Sequence, residues 1–169
     1  MPEQRTLKRA RRDKRQGKAP STQAGEFVRE EIEHVRRGKH GARSTKQAIA
    51  IGLSKARRSG VKLPPPPAGS KAKTRQSATA ASRAGRRHPM AHPSRSRSRA
   101  VRRALKREPH RTASSKALSR QAKTAARRRP ASARRAAARR AARTKGPHVR
   151  RAAARKAARS RMSRRRAAV

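Results

Sequence analysis

The sequence predicts a mostly disordered chain with one small all-α element, a two-helix hairpin at about 22–37 and 45–59, followed by a long basic tail with two short Ala/Arg helices. Three observations lead there. The 169 residues carry 53 Lys and Arg against 7 Asp and Glu, a net charge of +46. Aromatics make up 1%, Phe27 standing alone, and alanine supplies most of the 31% hydrophobic content. Nine large apolar residues and four of the acids fall in one stretch, 21–63. A chain this charged and this poor in large apolar side chains is not expected to offset its ordering entropy over its full length.

Residues 1–20 read as a basic disordered leader. Its run KRARRDKR (8–15) fits a phosphate contact or a localisation signal, and composition alone produces such runs here.

Residues 21–63 read as the hairpin. Ser21 and Thr22 are good N-cap types ahead of QAGEFVREEIEHVRR, in which Val28, Ile32 and Val35 recur at i, i+4, i+7 with Phe27 flanking. Glu26, Glu30, Glu31 and Glu33 lie toward the N-terminal part of this helix, and Arg36 and Arg37 close it, as the macrodipole favours. Gly38 ends it, and GKHGAR makes a short turn. Ser44-Thr45-Lys46-Gln47 is a capping box for the second helix. There Ile49, Leu53 and Ala56 form the stripe, and Ala48 and Gly52 are small enough for close helix approach. Gly60 suits the C′ position and Pro64–Pro67 shut the segment off. The core this provides is thin, which calls for completion by a partner or by self-association.

Residues 64–133 read as a disordered Pro/Ser/Ala/Arg linker, including the Arg-Ser run 94–99 and prolines at 89, 93, 109 and 130. Residues 134–169 form an Ala/Arg repeat tail. RRAAARRAAR (134–143) and RRAAARKAAR (150–159) differ at one position in ten, and Pro130 and Pro147 punctuate them. Alanine and arginine are strong helix formers, yet like charges at this density repel one another. The tail is therefore expected to become helical against a polyanion, with Arg135, Arg139, Arg140 and Arg143 within an arc of about 140°.

The stretch Ser44 to Arg57, S-x-K-Q-A-I-A-I-G-L-S-x-A-R, resembles a family of small basic bacterial proteins known only as a domain of unknown function, over residues 21–67. The resemblance implies a bacterial source and a cytoplasmic setting, and no activity. The tail resembles linker-histone-like tails by composition alone.

Little points to catalysis. The six histidines (34, 40, 88, 92, 110, 148) are dispersed. His34 reads as a solvated helix residue, and Pro89 keeps His88 and His92 from forming a helical metal pair. Glu30, Glu31 and Glu33 read as exposed acids that relieve repulsion through pairs such as Glu33–Arg37, or that hold part of the basic tail. No Gly-rich phosphate loop is present. The expectation is a non-enzyme with no cofactor and no metal site. No apolar run approaches the length of a membrane span, so no membrane partner is expected.

The charge requires a polyanion. With one aromatic there is nothing for single-strand stacking, and no rigid element reads base edges, so sequence-independent duplex DNA is the first expectation. Its contacts would be Arg134, Arg135, Arg139, Arg140, Arg143, Arg150, Arg151, Arg155, Lys156 and Arg159. The role is a histone-like protein of the bacterial cytoplasm, at the nucleoid. RNA or the ribosome is the alternative partner, and a partner-binding hairpin with an anchoring tail is the third reading.

Overall fold

The structure is a computed structural model that describes residues 2–87 and 94–166. His88, Pro89, His92 and Pro93, and the last residues of the tail (167–169), lie outside the described residues.

The expected hairpin is present. Helix α2 spans Pro20–Arg36 and α3 spans Thr45–Arg58. Helix α2 starts ahead of Ser21 and Thr22, because Pro20 occupies the first turn, where its fixed φ suits a helix and no N–H is missed. Ser44 caps α3 as expected, its side chain accepting from Gln47 N at 3.2 Å. The Gln47 side chain accepts in return from Arg43 N at 2.7 Å. After α2 the N–H of Gly38 bonds to Val35 O and that of Lys39 to His34 O, a Schellman closure that needs the φ of 72° at Gly38.

The chain is not mostly disordered. It is helical along its length, with seven α-helices and one 3-10 turn among the described residues. The leader holds α1 (Gln4–Arg15). The linker holds α4 (Ala72–Arg87), α5 (Arg95–Lys106), the 3-10 turn Arg111–Ala113 and α6 (Ser115–Arg127). The tail is α7 (Ala131–Arg166). By contact the chain divides into two units, Met1–Gln121 and Ala122–Val169.

The first unit folds because the thin hairpin core is completed from within the chain. Leu7 and Ala10 of α1 join Ala24, Phe27 and Ala56, with Leu53, Val61 and Leu63 packed against them. A second cluster gathers Val35, Ala42, Ala48 and Ala113, with Ile32 on its edge. Helix α4 lies on α3 and buries Ala78, Ala81 and Gly85. Residues 105–113 are tied to the α2–α3 loop by backbone bonds from Gly41 N to Leu105 O at 2.8 Å and from Ala42 N to Pro109 O at 3.1 Å. Side chains add to this seam: Thr45 Oγ1 donates to Thr112 O at 2.7 Å, and Arg36 Nε to Ala113 O at 2.8 Å. Each paired backbone group offsets its own desolvation, so a segment with almost no large apolar residue is still held.

The packing relies on small residues. Ala48, Gly52 and Ala56 form the buried stripe of α3, and a Cβ at Gly52 would lie 2.7 Å from Val28 Cα.

Two substitutions test this. Leu7→Ala should lower stability by about 2–3 kcal/mol in thermal unfolding followed by circular dichroism, because it opens a cavity under α1. A free leader would leave the melt unchanged. Gly52→Ala should cost about 1–3 kcal/mol by forcing the two helices apart, whereas Gly69→Ala, with nothing within 4 Å of the added carbon, should not.

Candidate nucleic-acid interface

Helix α7 is two helical segments joined at Gly146. That residue has φ 64° and ψ 169°, a conformation open essentially to glycine alone, and Pro147 starts the second segment with its φ already helical. Each segment carries one of the ten-residue repeats. Arg134, Arg135, Arg139, Arg140 and Arg143 lie exposed on the first, and Arg150, Arg151, Arg155, Lys156 and Arg159 lie exposed on the second. Arg135, Arg139 and Arg143 recur every fourth residue, as do Arg151, Arg155 and Arg159, so each trio lies near one line of its helix. Arg150 Nε donates to Gly146 O at 3.3 Å, across the break. Over its 36 residues α7 holds fifteen Lys and Arg and no acid.

The acids all lie in the first unit, and all seven are ion-paired there. Asp13 meets Lys18 at 2.7 Å. Glu26 meets Arg9 at 3.4 Å and Arg29 at 3.7 Å. Glu33 meets Arg37 at 3.6 Å, the pair expected from the spacing. Glu108 meets Arg43 at 3.5 Å.

Two of the remaining three acids depart from expectation. Glu30 and Glu31 are not exposed among arginines: they are 5% and 0% exposed. Glu30 Oε2 accepts from Glu3 N at 3.1 Å, and its Oε1 from Lys55 Nζ at 3.3 Å. Lys55 Nζ also lies 2.6 Å from Glu31 Oε2. His34 is not a solvated residue either. Its Nε2 lies 2.8 Å from Glu3 Oε1, and its ring meets that of His40 edge-on at 6.1 Å. One signal for this burial is present in the sequence: Glu31 falls on the line of Ala24, Phe27 and Val35, at core positions of a 3.6-residue repeat.

The hydrogen bonds from His34 and Lys39, with the charge of Lys39, lower the Glu3 carboxyl from 4.5 to about 2. None of the described helices is long and apolar enough to cross a membrane.

Residues 3–66 match a family of unknown function (DUF6496). The match begins ahead of the 21–67 stretch and takes in α1, so it covers the three helices that share the Phe27 core and ends within the prolines. No curated protein and no solved structure matches significantly.

The lowered Glu3 value has a testable consequence. The folded carboxyl releases its proton more readily than the unfolded one, so its stabilising effect is complete above about 4.5 and is lost as pH falls toward 2. An NMR titration of the Glu3 carboxyl carbon should show a midpoint well below 4.5. His34→Gln should move that midpoint upward, and no movement would mean that the contact is absent in solution.

Proposed function

We propose that the protein acts by binding, not catalysis: it coats or condenses duplex DNA without sequence preference, through the arginines of α7. The observation that carries this is the separation of charge. Every acid of the chain is paired between residues 3 and 108, and α7, which has fifteen cations, has no acid of its own. Leaving aside Arg140, which makes an interaction of its own in the fold, this charge calls for anions from outside the chain. A phosphate backbone supplies them at a density of about one charge per 1.7 Å of duplex, and binding releases the counterions condensed there. Arginine favours phosphate through its planar fork of donors. Alanine keeps the helix surface narrow and leaves nothing to read base edges. The likeness at Ser44–Arg57 is to bacterial proteins, which would place the action at the nucleoid.

The test is a salt titration of the full chain on two duplexes of unrelated sequence and on a structured RNA. With about ten phosphates engaged, log Kobs should fall with log salt at a slope near −9 on both duplexes. Replacing Arg135, Arg139 and Arg143 together by Gln should make that slope shallower by about 3. A slope that survives the triple change would place the interface elsewhere. A clear preference for the RNA at equal salt would replace DNA with RNA as the partner.

A further inference from the structure

We propose that Glu31, His34 and His40 form a binding site for one divalent transition-metal ion of the zinc class. The site belongs to α2 and the loop after it, and it does not rest on the nucleic-acid reading.

The backbone assembles the three donors. Glu31 and His34 stand three residues apart on α2, hence on one face. The Schellman closure at Gly38 then turns the chain back and returns His40 to the same place. One donor atom from each of the three lies within 4.8 Å of the others. Two imidazoles and one carboxylate are a common zinc ligand set.

A second observation concerns protons. The Glu31 carboxylate is fully buried, and neither oxygen accepts a hydrogen bond of good geometry. Its close neighbours are the Lys55 ammonium on Oε2 and His40 Nε2 at 3.2 Å from Oε1. His40 Nδ1 lies 3.0 Å from the carbonyl of Gly41, which can only accept, so Nδ1 carries a proton. In neutral His40 the bare Nε2 therefore faces a bare carboxylate oxygen. Two acceptors at that distance require a positive species between them, either a second proton on the ring or a metal ion.

The spacing and surroundings favour the ion. Zinc bonds of about 2.0–2.1 Å to nitrogen and oxygen give a tetrahedral edge of about 3.3 Å, close to the separation of Nε2 and Oε1. The outer contacts are of the kind that orient and tune metal ligands: Glu3 against His34 Nε2, the Gly41 carbonyl on His40, and Lys55 on the second oxygen of Glu31. Three carboxylates, Glu3, Glu30 and Glu31, face two lysines, Lys39 and Lys55.

The experiment uses untagged, nucleic-acid-free full chain stripped with a chelator and titrated with Co2+, then with Zn2+. The expected result is a set of visible d–d bands of tetrahedral intensity that saturates at one Co2+ per chain and is displaced by Zn2+. His34→Gln and His40→Gln should each weaken binding by about tenfold or more, the range seen when metal sites lose supporting groups, with the helical circular dichroism kept. A control with His88, His92 and His148 changed to Gln should bind as the parent does. Absence of the bands in the parent protein overturns the proposal whatever the variants do, and leaves the second proton as the bridge. Bands that persist in both single variants, or vanish in the control, overturn it in favour of adventitious surface binding.

Discussion

The fold of the first unit turns on two buried carboxylates. Glu30 and Glu31 sit where α1, α2 and α3 meet, and a charge in such a place is tolerated only when paired. Glu30 takes the backbone N–H of Glu3 at the start of α1 and the ammonium of Lys55 from α3. Glu31 shares that ammonium and faces His40 from the loop. One pair of acids on one helix thus specifies how its two neighbours dock. Hydrophobic burial could not do this alone, because the apolar side chains available are mostly alanines, which fit many registers. Ion pairs of this kind add little net stability when compared with apolar replacements. Their value here is that a misdocked α1 or α3 would leave a buried charge without its partner.

That arrangement has a consequence for the other end of the chain. A protein of +46 has only seven acids, and the first unit consumes all of them in holding itself together. Lys18, Arg37, Arg43 and the others that pair with them belong to the scaffold. Helix α7, with fifteen Lys and Arg, contributes no acid to this pairing. This helix needs no tertiary cover, because alanine and arginine have the highest propensities available.

The two halves of the molecule differ in how legible they are. Helices α2 and α3 can be read from the sequence because capping residues, glycine stops and apolar repeats agree there. Helix α1 cannot, since its buried face is Thr6, Leu7, Ala10 and Asp13, with a single large apolar residue among them. Helix α4 hides for the same reason, burying Ala78, Ala81 and Gly85. Reading disorder from low hydrophobicity assumes that a core needs large side chains, and here backbone approach and hydrogen bonding take their place. The strip Leu105–Ala113 is held by backbone and hydroxyl groups that no residue pattern announces. Of the site residues, the arginine repeats are plain in the sequence. The cluster around Glu31 is not, since it depends on the chain reversal that brings His40 back to α2.

The break at Gly146 bears on how α7 can work. An unbroken helix of 36 residues would be a rod of about 54 Å, and the backbone of duplex DNA winds away from a straight rod within a few base pairs. Segments of roughly 15 and 20 residues are about 22 and 30 Å long, short enough for each to keep its basic line near phosphates. The Gly-Pro step ends one helix and starts the next through backbone conformation, with the Arg150 guanidinium on the Gly146 carbonyl. Under the proposed DNA binding, two nearly identical phrases separated by such a step would act as two copies of one contact. The second copy would then bind at the high local concentration set by the first. On that reading, the repeat at a spacing of 16 and the glycine between its copies serve a single purpose.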